Sequence, residues 1–246
     1  MMKAKPEVSA TVIRAIKIIN YLNEVPSPQG VSEISRELGF STTIVHRLLA
    51  TLKSEGMVFQ DPRSKLYTLG TVFLDYANKI ITEVPFASVI EPWLIKLRDE
   101  TGETTGFYVP SGQSRVCVLE YESQQEIKRS VGVGKRLPLQ AGASGRAILS
   151  FQSEDLQERV LLSVAPEKRT EIKQLLEETK ANGYATNEEE INPNVSALSA
   201  PVFDQHNRVI GALSISGPSF RWNRKTMEAY TETLLDSTRA ITNSLS

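Results

Sequence analysis

Gly142-Ala143-Ser144-Gly145-Arg146 sets a serine between glycines, as a nucleophile elbow does when it exposes a hydroxyl on a sharp strand-to-helix turn. Arginine stands where the elbow needs its second glycine. The chain has two histidines, His46 and His206, and the first is far toward the N-terminus, so no base accompanies the serine. Gly132-Val133-Gly134-Lys135 is too short to cradle phosphates, and neither Ser nor Thr follows the lysine; it reads as a flexible turn. Glu188, Glu189 and Glu190 offer carboxylates to a metal, but consecutive side chains point in different directions, and a solvated loop is the better account. Cys117 lies between Val116 and Val118 with nothing nearby to lower its pKa, and reads as strand core. One Cys and two His cannot build a disulfide framework or a zinc site made mainly of Cys and His. The chain is therefore expected not to be an enzyme, and no cofactor or metal is called for.

The residues that do combine are Ser41, Thr42, Thr43, His46, Arg47, Ala50 and Lys53. On a helix they occupy the face opposite Ile44, Val45, Leu48, Leu49 and Leu52, with short hydroxyls near the N-terminus and cations further along. Such a face suits the major groove of DNA. Hydroxyls and a helix N-terminus approach bases and phosphates closely, Arg47 can grip guanine bidentately or hold a phosphate, and Lys53 acts as a point charge. Arg63 and Lys65, in the turn Asp61-Pro62-Arg63-Ser64-Lys65, add a basic tip.

The elements needed to hold that face are legible around it. Val12, Ile13, Ile16, Ile19 and Tyr21 recur at helical spacing over residues 10–22, with Ser9 as a candidate N-cap and Pro26-Ser27-Pro28 as the stop. A short helix starts at Ser32, carries Ile34 and Leu38, and ends at Gly39; Ser41 then caps a third helix that Gly56 closes. Residues 57–60 and 66–69 read as strands joined by the basic turn, a wing after a helix-turn-helix.

Composition agrees with a local rather than global nucleic-acid surface. The 246 residues, 40% hydrophobic, suffice for two modest cores, and 28 Lys+Arg against 29 Asp+Glu give a net charge of -1. Residues 1–70 hold nine basic and six acidic side chains, Lys3 and Lys5 among them, leaving 19 and 23 for the rest: a cationic head and an anionic body. No apolar run approaches the roughly 18–20 residues of a membrane span, and no apolar signal core follows Lys3 and Lys5. A cytoplasmic protein with no membrane partner is expected.

Beyond the head, residues 71–81 read as helix, Pro85 breaks it, and residues 86–100 form a second amphipathic run through Val89, Ile90, Trp93, Leu94 and Leu97. β-rich runs at 106–109, 116–121, 127–131, 200–203 and 209–216 enclose helical stretches at 144–151, 156–163 and 167–182, with a last helix over 225–245. This is an α+β domain around a sheet.

Val31-Ser32-Glu33-Ile34-Ser35-Arg36-Glu37-Leu38-Gly39, Ser41-Thr42-Thr43-Ile44-Val45-His46-Arg47-Leu48-Leu49 and Tyr67-Thr68-Leu69-Gly70 resemble the winged helix-turn-helix head of the IclR family of bacterial transcriptional regulators. Gly102-Glu103-Thr104, residues 131–139, Ala143-Ser144-Gly145-Arg146-Ala147-Ile148-Leu149, Ala200-Pro201-Val202-Phe203-Asp204 and residues 212–218 follow in the family's order, so the resemblance spans nearly the whole chain.

The resemblance implies an N-terminal winged helix-turn-helix (1–70), a linker helix (71–84) and a GAF-like α/β effector-binding domain (85–246). It also implies an effector pocket at Ala143 and Ser144, at Asn187 after a strand from Tyr184, and at Ala197, Ser214 and Ser216. Ser214 and Ser216, two apart on a strand, share one sheet face, while Ala143 and Ser144 lie where N–H groups of a following helix can receive an anion. A small carboxylate or hydroxy acid suits such donors. Ala197 departs from family members that place a polar or thiol side chain there, so their ligand does not carry over. Relatives form dimers through the head and often tetramers through the body, and two heads double the footprint on a pseudo-palindromic double-stranded operator. Repression of a catabolic operon is the commoner behaviour of similar proteins. The rival reading is a small-molecule carrier or enzyme whose winged head serves protein contacts.

Overall fold

Ile18, Ile34, Val45 and Leu49 are fully buried in one cluster, and this shared core holds three helices too short to persist alone. The structure, a computed structural model, describes residues 8–82 and 86–245, with residues 81 and 82 in backbone only. Lys3, Lys5 and Pro85, singled out from the sequence, lie outside the described residues. α1 (Ala10–Glu24), α2 (Val31–Leu38) and α3 (Thr42–Ser54) are followed by β1 (Val58–Gln60) and β2 (Tyr67–Leu69), an antiparallel pair. Tyr67 exchanges both backbone hydrogen bonds with Gln29, which ties the wing to the segment before α2.

The expected stripe of α1 needs correction. Val12, Ile13 and Ile16 are 55%, 40% and 49% exposed, whereas Ile18 and Leu22, one turn apart, carry the buried face with Ala15, Ile19 and Tyr21 beside them. The helix is apolar on two faces, and periodicity alone cannot choose between them. Ser9 precedes α1 in an extended conformation, but its side chain makes no capping bond.

The chain divides into two compact units between Ile80 and Ile81, within α4 (Val72–Thr82). The second unit opens with α5 (Ala87–Thr101), β3 (Thr104–Ser111), β4 (Ser114–Tyr121) and β5 (Arg136–Pro138). It continues through α6 (Ala143–Leu149), α7 (Glu154–Leu162), α8 (Pro166–Asn182), β6 (Ala185–Glu188), β7 (Val195–Phe203), β8 (Val209–Pro218) and α9 (Arg224–Ser244). Its sheet runs β5-β4-β3-β8-β7-β6, antiparallel at every pairing, so the unit is α+β.

Neighbouring strand residues part to opposite faces, as the pleat requires. Phe107 and Leu213 join Ile90, Leu94 and Leu97 of α5 and Leu234 and Ile241 of α9 on one side. Tyr108 and Ala212 join Ala147, Ile148 and Leu149 of α6, Val160 of α7 and Leu176 of α8 on the other.

Residues 127–131, read as a strand, are irregular. The Glu120 carboxylate accepts from the Ser130 hydroxyl and from the Val131 and Gly132 N–H groups, replacing a ladder, and φ is positive at Gly132 and Gly134. The loop is also held by Arg221, which donates to the Ile127 carbonyl while pairing with the buried Glu103 at 2.5 Å. Among the described residues no helix is long and apolar enough to cross a membrane.

Because the head carries its own core, removing volume there is felt locally. Leu49→Ala should cost about 2–5 kcal/mol of head stability, and urea unfolding followed by far-UV circular dichroism should show an early transition that the unsubstituted chain lacks.

Candidate nucleic-acid face and ligand cavity

On α3 the 3.6-residue period separates two faces. Val45, Leu48, Leu49 and Leu52 are buried, while Ser41, Thr42, Thr43, His46, Arg47 and Lys53 are exposed. Ser41 Oγ accepts from the Ile44 N–H and fixes the start of the helix. Lys53 Nζ donates to Gln60 Oε1 at 3.0 Å, so this cation is tied to β1. Arg63 and Lys65 are exposed on the wing turn. Asp61 shapes that turn by accepting from the Ser64 N–H and hydroxyl and the Arg63 N–H; these bonds, Ser64's first, hold its carboxyl below the usual carboxylate range.

In the second unit the structure brings Ala143, Ser144, Asn187, Ala197, Ser214 and Ser216 around one cavity of about 40 Å³. The sheet register explains three of them, since Asn187 pairs with Ala197 and Ala197 with Ser216 across β6, β7 and β8. Ser199, fully buried, donates to Ser214 Oγ at 2.8 Å, which leaves the Ser214 proton free to donate in turn. Asn187 lies within β6 rather than after the strand; its Oδ1 accepts from the Glu190 N–H and turns the chain out of the sheet.

One expectation near this site changes. The N–H of Gly142, just before α6, meets Glu190 Oε1 at 3.2 Å, so a carboxylate of the protein itself lies beside the turn into α6. Glu190 therefore does not sit in a merely solvated acidic loop. It also pairs with Arg146 at 2.5 Å, whose side chain is 4% exposed and donates as well to the Thr186 carbonyl. Glu188 pairs instead with Arg224 at 3.3 Å. Among the described residues no group of His, Cys, Asp or Glu is arranged to hold a metal ion.

Sequence reasoning missed Tyr108, Arg115, Arg129 and Ile191, which are among the other residues of the wall. Arg115 is 2% exposed; its Nη1 donates to the carbonyls of Pro138 and Ala141, and its guanidinium lies 5.8 Å from the centre of the Tyr108 ring. Burial pulls its pKa down to about 10, and it stays charged at neutral pH. α6 can approach this group because Gly145 has no side chain: a Cβ there would lie 2.5 Å from Arg115 Nη1 and 2.5 Å from the Leu139 carbonyl. The available signal was parity, since residues 115 and 117 share a face of β4 and Cys117 is core. Burial pushes the Cys117 thiol up to about 12, which makes it a packing residue and not a nucleophile. A larger hollow of about 160 Å³, reaching Glu178, Arg224 and Glu228, contains none of the six residues marked from sequence.

Residues 11–62 match the family model described as the IclR helix-turn-helix domain, and residues 78–243 match the one described as the bacterial transcriptional regulator IclR C-terminal domain. The transcriptional regulator KipR of Bacillus subtilis is 27% identical over 243 residues, covering 96% of each chain. The transcriptional repressor AllR of Escherichia coli is 26% identical, covering 94% of this chain and 89% of its own. An IclR homologue from Microbacterium hydrocarbonoxydans, solved with 4-hydroxybenzoate, superposes with a TM-score of 0.78 at 19% identity, covering 96% of this chain and 99% of its own. With both units matched in order, and the C-terminal match alone covering more than half its length, the chain belongs to the IclR family of bacterial transcriptional regulators, which bind DNA and do not act as enzymes.

Proposed function

We propose that this regulator represses a catabolic operon in the cytoplasm, reading a pseudo-palindromic operator with paired α3 helices and wings. Ser41, Thr42, Thr43, His46 and Arg47 would meet the groove, with Lys53, Arg63 and Lys65 on the phosphates. A small organic or hydroxy acid held by Ala143, Ser144, Asn187, Ala197, Ser214 and Ser216 would change operator affinity by binding one state better than the other.

The observation that carries this reading is convergence: six residues marked on sequence grounds, drawn from α6, β6, β7 and β8, face one cavity. The named repressor role of AllR and the hydroxy acid in the Microbacterium structure support it. On a scale where about 10–15 Å³ admits a water and about 150 Å³ admits benzene, the 40 Å³ here suits a ligand of few heavy atoms. An aromatic acid would require the wall to move outward.

Dimerisation through the head is supported by the apolar side of α1 that its own unit leaves uncovered: Val12, Ile13 and Ile16 are 40–55% exposed.

Arg47→Ala should weaken binding to a duplex selected by repeated rounds of binding to the protein. The slope of log affinity against log salt should fall by about 1 if Arg47 holds a phosphate; unchanged affinity in fluorescence anisotropy would remove α3 from the interface. Ser214→Ala combined with Ser216→Ala should leave the thermal melt within a few degrees of wild type while reducing the effect of small carboxylic acids on duplex binding. Val12→Asp with Ile16→Asp should convert the assembled species to monomer in sedimentation velocity, and an unaltered distribution would place the interface elsewhere.

A further inference from the structure

Arg115 is a buried cation with no carboxylate paired to it among the described residues; Glu190 acts on its charge only from beyond salt-bridge distance. Its Nε hydrogen-bonds to nothing among them. Two backbone carbonyls, both on Nη1, supply its polar contacts. A guanidinium taken out of water is costly unless an opposite charge and hydrogen-bond acceptors replace its hydration.

The acids near the cavity are already committed. Glu190 faces Arg146 and the Gly142 N–H, and Glu120 is held by Ser130, Val131 and Gly132. Arg129, half-buried on the same wall, donates to the Ser130 carbonyl. Three guanidinium groups thus stand against two carboxylates at or just behind the wall, an excess of one positive charge.

Resting on the reading of this cavity as the effector site, we propose that Arg115 recognises the ligand's carboxylate and that the ligand is a monoanion. The charge of Arg115 would take the carboxylate, its unpartnered Nε being buried and within reach only once the wall shifts to admit the ligand, while Ser214, Ser216 and Asn187 on the facing strands would meet an uncharged polar group on a short carbon skeleton. A second carboxylate would have only Arg129 to meet, with the Glu120 carboxylate already close to that stretch of chain, and would also have to approach Glu190. The alternative is that Arg115 only pins the chain from Pro138 to Ala141 to β4, in which case the charge of a ligand would not matter to it.

Binding of glycolate, lactate and propionate to the full-length protein, followed by calorimetry and thermal shift, distinguishes the two. Matched amides (glycolamide, lactamide) and dicarboxylates (malonate, malate) complete the series. The monocarboxylates should bind, with the amides and dicarboxylates weaker by about 10- to 100-fold, the worth of a charge-assisted contact. Arg115→Gln should remove that discrimination, and Arg115→Lys should restore part of it. If Arg115→Gln fails to fold, the acid-to-amide comparison is made in the unaltered protein and in Arg129→Gln: a preference for acids that survives Arg129→Gln assigns it to Arg115, and its loss there would overturn the proposal.

Glu190→Gln retains an acceptor for the Gly142 N–H and deletes one negative charge, so it should improve malonate and malate relative to lactate. Equal binding of acids and amides, preference for dicarboxylates in the unaltered protein, or no binding across the series would overturn the proposal. These readouts concern binding alone. A monocarboxylate that binds through Arg115 yet leaves duplex affinity unchanged would instead overturn the regulatory reading and leave this inference standing.

Discussion

A guanidinium buried against a tyrosine ring organises the α6 side of the second unit's sheet. Arg115 projects from β4 onto the Tyr108 face, its Nη1 gathers the carbonyls of Pro138 and Ala141, and α6 settles against it where Gly145 leaves room. Each contact restricts the next: the captured carbonyls set the approach to α6, α6 presents Ala143 and Ser144, and Arg146 on the same helix reaches back to Glu190 and Thr186. Removing the cation would free both the strand-to-helix connection and the cavity wall. Two carbonyls and a ring face replace only part of the hydration that this charge lost on folding, so its burial is costly and the packing around it must offset that cost.

The head depends on a different constraint, the separation of apolar and polar residues around α3. Burying Val45, Leu48, Leu49 and Leu52 obliges Thr43, His46 and Arg47 to face outward, so the packing that stabilises the head also presents its chemistry. The wing follows the same economy. Asp61 closes the turn with its own carboxylate, and Tyr67 borrows a strand partner from Gln29, which lets a hairpin of three-residue strands hold its place.

How much of this could be read in advance depended on whether a residue's role is local. The helices of the head, the cap at Ser41, the burial of Cys117 and the shared face of Ser214 and Ser216 follow from periodicity and capping, and all were legible. The stripe of α1 was misread because that helix is apolar on two sides, and only tertiary packing selects Ile18 and Leu22. Residues 127–131 look like a strand, yet the Val131 N–H and that of Gly132 just after it go to the Glu120 side chain, a partner about ten residues earlier, rather than to a neighbouring strand. Arg115 was missed, and Glu190 was misread as part of a solvated loop, for a related reason. Their partners lie 23 to 48 residues away, and nothing in the local pattern at either position announces them.

The two hydrophobic clusters nearest the proposed functions share no residue: one lies wholly within residues 18–67, the other wholly within 108–212. Natural selection can therefore revise the chemical that such a protein senses without disturbing the stretch of genome it reads. Gene duplication followed by drift in either half would yield new pairings of signal and promoter, and a hybrid joining one relative's head to another's body is a reasonable thing for a bioengineer to build.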